Sequence, residues 1–270
     1  MTRPSNAGSP ELSVVIPAHN EDRRILPYLR QVTEYFARQG RSYELIVVDD
    51  GSTDATAAVV EGLAKVNSAV RLLRQPTCQG KGAAVRHGMQ SAVGNLQLFA
   101  DADGATPIRE IARLESALSD GADMAIGSRI LAARRPGFTV HAQWHRSVLG
   151  TLFNAAVRHG GIRGISDTQC GFKLFRRAIA KDLFGYASIN GFGFDLELLY
   201  VAQRRGYRIA QVPVNWTDQP GSKVRVFRDG ILMLRELATI RRNHHDGRYG
   251  LTPCAPRWQV NATRVRIPLR

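Results

Sequence analysis

Acidic residues are scarce in this 270-residue chain: 23 Asp and Glu stand against 37 Lys and Arg, for a formal net charge of +14. The last thirty residues add strongly to the excess through Arg241, Arg242, Arg248, Arg257, Arg264, Arg266 and Arg270. Such a balance suits anionic partners: nucleic acid, an acidic membrane surface or phosphorylated substrates. Aromatic residues make up only 7%. The basic residues are spread without a recognisable binding motif, which argues against nucleic acid. Cysteine is sparse and odd in number (Cys78, Cys170, Cys254), with no C-x-x-C pair. That pattern excludes a disulfide framework and reads as reduced thiols of a cytosolic protein. No run approaches the roughly 18 apolar residues of a transmembrane helix. Met1 to Pro10 lacks the apolar core of a signal peptide. Contact with a membrane is therefore expected to be peripheral, on its cytoplasmic face.

What is present is an ordinary globular composition, 44% hydrophobic and 22% charged. Short apolar runs alternate with amphipathic stretches. Strands are expected at Leu12–Ile16, Leu45–Val48, Val70–Leu73, Leu96–Ala100 and Ala122–Gly127. Helices are expected at Asp22–Gln39, Asp54–Asn67 and Lys81–Val93, and from Pro107 to Ser119. This rhythm argues for an α/β fold with a mostly parallel sheet covered by helices on both faces. Beyond Arg129 the rhythm breaks. Ala132–His145 reads as a loop, Arg146–His159 as a helix, Lys173–Phe175 as a short strand, Asp195–Arg205 as a helix and Arg208–Trp216 as a strand. Residues 226–242 form a C-terminal amphipathic helix. The expected organisation is a flexible leader over 1–10, one domain over 11–242, and a basic, poorly ordered tail over 243–270.

The chemistry gathers where strands end. The first leads into Pro17-Ala18-His19-Asn20-Glu21, the second into Asp49-Asp50-Gly51-Ser52, the third toward Gln79-Gly80-Lys81-Gly82, and the fourth into Asp101-Ala102-Asp103. In an extended chain residues i and i+2 point the same way, so Asp101 and Asp103 can face one site. In a parallel sheet these ends share one edge, which is where open α/β sheets bind ligands. Clustered carboxylates repel one another, and a shared site favours a hard divalent cation, Mg²⁺ or Mn²⁺, bridging to a diphosphate. Gly80-Lys81-Gly82 is not a Walker A loop, because no Gly-Lys-Ser/Thr follows. Each piece also has a plain structural reading: Asp49 as a cap, Asp103 as a turn residue, Asp195 as a helix N-terminal carboxylate, Gln169 and Lys173 as buried struts.

Taken in order, V-I-P-A-H-N-E, V-V-D-D-G-S-T-D, G-K-G and D-A-D-G resemble the inverting family 2 glycosyltransferases of the GT-A fold. Asp167-Thr168-Gln169-Cys170-Gly171-Phe172-Lys173, Phe194 to Tyr200, Val214-Asn215-Trp216-Thr217 and Gly221-Ser222-Lys223 look like the dolichyl-phosphate β-glucosyltransferase branch. The eukaryotic members of that branch carry an N-terminal membrane anchor, which is not read here, so a bacterial-type polyprenyl phosphate is a fair substitute for dolichol. The resemblance implies that Pro17, Ala18, Asn20 and Glu21 line a nucleotide pocket. It implies that Asp50, supported by Asp49, accepts a hydrogen bond from base or ribose, and that Lys81 lies near the nucleotide. Asp101 and Asp103 would hold the sugar and the metal, with Ala102 between them in the nucleotide-sugar pocket, and Arg129 would face the phosphates.

Two acceptors are open. A saccharide hydroxyl needs a carboxylate base, for which Asp195 is the candidate. A lipid phosphate is largely dianionic near neutral pH and needs cations instead. Arg129, Arg146, Lys223 and Arg225 are the candidates for holding it. The helix over 226–242 bears on the choice. Phe227, Ile231, Leu234 and Ala238 share one stripe, Met233, Leu237 and Ile240 lie beside it, and Arg228, Arg235 and Arg242 lie away from it. An apolar face flanked by arginine suits an anionic membrane interface. The same pattern also suits a helix packed on a sheet.

Overall fold

The structure is a computed structural model and describes residues 8–141, 157, 160–219 and 226–250, with side chains of the last segment from 230 onward. The apolar runs form a seven-stranded sheet. Its strands are β1 (Leu12–Ala18), β2 (Tyr43–Asp50), β3 (Val70–Gln75), β4 (Leu96–Ala100), β5 (Met124–Ser128), β7 (Phe172–Arg176) and β8 (Ile209–Pro213), in the order β3-β2-β1-β4-β7-β5-β8. All neighbours run parallel except β7, which inserts antiparallel between β4 and β5. β6 (Val140–His141) and β9 (Trp216–Thr217) pair separately.

The helices cover both faces, which is why β1 and β2 are buried along almost their whole length rather than alternating with polar residues. Val14 and Ile16 of β1 join one core cluster, with Leu29, Val32 and Phe36 of α1 (Ile25–Gln39) and Ile111 and Leu114 of α4 (Ile111–Ser119). Val15, pointing the other way, joins the second cluster. That cluster holds Val85 and Met89 of α3 (Lys81–Ser91), Leu183 and Phe184 of α6 (Arg177–Tyr186), and Leu196 and Leu199 of α7 (Phe194–Arg204). α2 (Thr56–Val66) lies against β3.

The elements differ from the sequence expectation in four places. Arg129–Ala133 is a short helix, α5, opened by Ser128 Oγ, which accepts from Leu131 N; β6 also falls in the stretch expected to be a loop. α6 was not expected. It is short, and only Ala180, Leu183 and Phe184 mark its buried side. The strand expected over Arg208–Trp216 splits into β8 and β9, because Pro213 closes the ladder and Asn215 turns to Glu110. The last helix, α8 (Val226–His245), runs past 242 into the expected tail. Beyond it Tyr249 is 1% exposed, and its hydroxyl donates to Glu197. An aromatic ring burying its area against α7 is what orders this stretch. The helix expected over 146–159 and the rest of the tail lie outside the described residues, apart from helical Val157.

Candidate active site

The C-terminal ends of β1, β2, β4 and β5 form one edge, and the expected residues gather there in two tiers. The outer tier braces the loops. Asn20 adopts a left-handed backbone, φ 55°, which asparagine tolerates better than most residues. Its Oδ1 accepts from Thr53 N at 2.8 Å and Asp54 N at 3.3 Å, tying the end of β1 to the loop after β2. Glu21 pairs with Arg24 through two 2.7 Å bonds. Asp49 Oδ1 accepts from Ser52 N, closing the turn. Asp50 is buried. Its two oxygens accept from Gln79 N at 2.7 Å and Gly80 N at 2.9 Å, so it holds the loop that delivers Lys81. Pro17 and Ala18 are buried at the end of β1.

The inner tier is a ring of charges. Lys81 opens α3, and its Nζ sits 2.6 Å from Asp101 Oδ1 and over the rings of Phe99 and Phe192. Burial works against its charge, but Asp101, Asp195 and Asp103 outweigh that and raise the Lys81 pKa. Asp103 accepts from Ala105 N at 3.0 Å. Burial and then the nearby Asp101 charge push the Asp103 carboxyl up, against the pull of the Ala105 N–H, Lys81 and Arg24. Ala102 is buried between the two aspartates. Gly171 lies hard against Asp101: a Cβ there would collide with the carboxylate.

Asp195, in the first turn of α7, is almost sealed and lies 2.6 Å from Nζ of the fully buried Lys173. Lys173 also donates to the Cys170 carbonyl at 2.6 Å. Burial pushes the Asp195 carboxyl above the usual range, opposed by Lys173 and Lys81. Arg129 was expected to face phosphates. In this structure its Nε and NH2 each donate to Asp167 at 2.8 Å, its backbone N–H donates there too, and its guanidinium stacks over Trp216. A phosphate would have to be met by the N–H donors that Asp167 leaves over, on NH1 and on the second N–H of NH2. Arg146, Lys223 and Arg225 lie outside the described residues.

Four residues of this edge were not singled out from the sequence. Arg24 acts electrostatically on Asp103, Asp167 fixes Arg129, Gly171 makes room for Asp101, and Phe192 stacks on Lys81. The D-T-Q-C-G-F-K stretch was the available signal for Asp167 and Gly171. Nothing local marks Arg24 or Phe192.

The donor set can be tested for a divalent cation. Asp103 offers a hard, half-buried carboxylate oxygen in a neighbourhood that raises its pKa, so a cation there would relieve charge repulsion. Asp101 is already neutralised by Lys81. Thr168 Oγ1 and Gln169 Nε2 are buried without hydrogen-bond partners among the described residues. Buried orphan polar atoms of this kind mark a place where a polar ligand is expected.

The profile of glycosyl transferase family 2 matches residues 13–184. The chain belongs to this family. Dolichyl-phosphate beta-glucosyltransferase of Drosophila melanogaster is 40% identical over 255 residues, covering 89% of this chain and 78% of that protein. The Homo sapiens protein of the same name is 36% identical over 263 residues, covering 93% and 81%. The Saccharomyces cerevisiae one is 35% identical over 249 residues, covering 85% and 74%. Among solved structures, mannosyl-3-phosphoglycerate synthase from Rubrobacter xylanophilus superposes with a TM-score of 0.64 at 20% identity, covering 91% of this chain and 77% of that one. Glucosyl-3-phosphoglycerate synthase from Mycobacterium tuberculosis, in complex with Mn²⁺, UDP and phosphoglyceric acid, gives 0.62 at 21% identity, covering 90% and 80%. At that identity the likeness establishes the fold: this is a family 2 glycosyltransferase with a GT-A architecture.

Proposed function

We propose that this family 2 glycosyltransferase moves a hexose, glucose from UDP-glucose, onto a polyprenyl or dolichyl phosphate with inversion at the anomeric carbon. Relatives of that name match most of the chain. The observation that carries the choice of acceptor is the setting of Asp195. A base must come within hydrogen-bond reach of the hydroxyl it deprotonates. Asp195 is 2% exposed and ion-paired to a lysine with no exposure at all. A phosphate dianion has no proton to lose, so Asp195 can organise the site without acting as a base.

In the reaction, an acceptor phosphate oxygen forms the new bond to the sugar C1, the bond from C1 to the diphosphate oxygen breaks, and the electron pair leaves with UDP. Pro17, Ala18, Asn20, Glu21, Asp49 and Asp50 shape the nucleotide end. Lys81 holds Asp101, and Asp101 receives sugar hydroxyls. Asp103 would hold the divalent cation, Mg²⁺ or Mn²⁺. When bound, that cation neutralises charge on the leaving diphosphate. Arg129, held in place by Asp167, with Arg146, Lys223 and Arg225, meets the acceptor phosphate.

The lipid acceptor also needs a membrane surface. No helix among the described residues is long and apolar enough to cross a membrane. α8 divides its two stripes: Leu237 and Ile240 are buried, while Ile231, Leu232 and Leu234 are exposed beside exposed Arg235, Arg241 and Arg242. This outward face supports a peripheral seat on the anionic cytoplasmic leaflet. The test is transfer of radiolabel from a panel of UDP- and GDP-sugars, with Mn²⁺ or Mg²⁺, into detergent-dispersed polyprenyl phosphate. Metal-dependent label in the organic phase is expected. Nucleotide release only on adding a saccharide would overturn the lipid acceptor.

A further inference from the structure

Among the side chains of α8 that the structure describes, the Glu236 carboxylate faces inward. Glu236 Oε2 accepts from Gly193 N at 2.7 Å, and the Gly191 N–H is directed at the same carboxylate. Gly191 and Gly193 are the only residue type that fits: a Cβ on either would collide with the Glu236 carboxylate. Between these glycines lies Phe192, whose ring faces Lys81 Nζ at 5.9 Å. Just before them, the Asn190 carbonyl accepts from Gly82 N at 2.7 Å and Ala83 N at 3.3 Å, capping the start of α3. The near end of the loop is held by the fully buried Glu197, which accepts from Ser188 N, Ser188 Oγ and Ile189 N. The loop from 188 to 193 is thus pinned by two carboxylates from two helices. Its own groups fix the turn that presents Lys81 to Asp101.

We infer that Glu236 is a positioning residue of the donor site: acting through the 188–193 loop, it transmits the seat of α8 to the Lys81–Asp101 pair. A glutamate on an amphipathic helix would ordinarily face water. Here it is turned inward, and burial pushes its carboxyl up despite the two N–H donors. Two charge-assisted bonds to backbone N–H groups are strong enough to hold a loop. Their loss leaves residues 191–193, next to Phe192, without an anchor from α8, while 188–190 stay held by Glu197, Arg86 and the start of α3. The inference rests on the sugar-nucleotide reading of the site.

The test compares wild type, Glu236→Ala and Glu236→Gln by calorimetric titration with UDP-glucose, by thermal midpoint and by transfer kinetics. Loss of two charge-assisted bonds should weaken donor affinity by roughly tenfold or more in Glu236→Ala. The donor KM should rise in step, with the acceptor KM unchanged. Glu236→Gln keeps one carbonyl oxygen for Gly193 N and should recover part of the loss. Equal donor affinity in wild type and Glu236→Ala would overturn the inference. So would a rise in both KM values by the same factor. If Glu236→Ala does not fold, the Glu236→Gln titration decides alone, with an unchanged donor affinity counting against the inference. A wild type that binds no UDP- or GDP-sugar refutes the sugar-nucleotide reading instead, so the two failures are distinguishable.

Discussion

The ammonium of Lys173 lies 2.6 Å from the carboxylate of Asp195, with both side chains sealed from solvent. The pair sits beside the ring of Phe99, two residues before Asp101. It has two separable consequences, one for stability and one for the acceptor.

Removing the cation leaves a buried charge uncompensated, which costs about 3–5 kcal/mol. Lys173→Met should therefore lower the thermal midpoint by on the order of 10 °C, given the entropy of a domain of this size. A midpoint within a degree of wild type would show that Asp195 finds another partner.

Asp195→Asn keeps the shape and a carbonyl oxygen for Lys173 while removing any base. With a phosphate acceptor, turnover should fall by less than about tenfold, whereas loss of a general base costs about 10²–10⁴-fold. Steady-state kinetics with polyprenyl phosphate decides between them. A thousandfold loss would reinstate Asp195 as a base and the hydroxyl as acceptor.

The edge that carries Asp101 and Asp103 was legible because a strand's period of two and the order of a parallel sheet are local rules. Lys173 as the partner of Asp195 was not. It depends on β7 entering antiparallel, in a register that sets Lys173 opposite Phe99. The Arg129–Asp167 pair joins residues 38 apart, and no spacing rule links them. α8 gave both of its faces to the sequence pattern, one now in the core and one outward. Glu236 was hidden because a glutamate on an amphipathic helix ordinarily means solvent. The stretch after 242 read as tail because its basic composition says nothing of where Tyr249 packs.

The Arg129–Asp167 pair predicts a pH signature. Burial pushes the Asp167 carboxyl up, but Arg129, its hydrogen bonds and Lys173 outweigh this and hold it below the usual range. A depressed carboxyl contributes stability that is present above its unfolded value, about 3.9, and lost as pH falls through the lower folded value. Without the guanidinium, burial is opposed only by Lys173 and the backbone N–H donors of residues 129 and 169. Arg129→Met should then be destabilised at pH 7 by about 2–3 kcal/mol, less than for a sealed pair because the Arg129 side chain is 31% exposed. The gap to wild type should narrow as pH approaches 4, when the unpaired carboxyl takes up its proton. Denaturant unfolding at a series of pH values measures it, and a gap independent of pH would contradict the assignment.

Gly171→Ala isolates the Asp101 seat. Its methyl would meet the Asp101 carboxylate rather than backbone. Gly171 is not among the positive-φ positions, so the substitution carries no backbone strain. The side chain must swing away, separating it from Lys81 and moving the oxygen meant for the sugar. Donor affinity should fall by more than about tenfold, the worth of one charged hydrogen bond, while the thermal midpoint moves little. Titration of UDP-glucose against the variant tests this, and an unchanged affinity would place sugar recognition elsewhere.

The outward face of α8 makes a claim that can be checked without any turnover. Each arginine near an anionic surface adds about 1 kcal/mol to the attraction. Reversing Arg235, Arg241 and Arg242 together to glutamate replaces three attractions by repulsions, so partition onto phosphatidylglycerol vesicles should fall by at least about a hundredfold. The three side chains are exposed, so the fold should survive. Binding of the wild type should weaken as salt is raised, since the attraction is screened within a Debye length. Cosedimentation with phosphatidylglycerol and with phosphatidylcholine vesicles separates the charge effect from the apolar one. Retention of the triple variant on phosphatidylglycerol would mean that Ile231, Leu232 and Leu234 suffice or that another surface makes the contact. Adding Leu234→Ser to the triple variant then distinguishes the two.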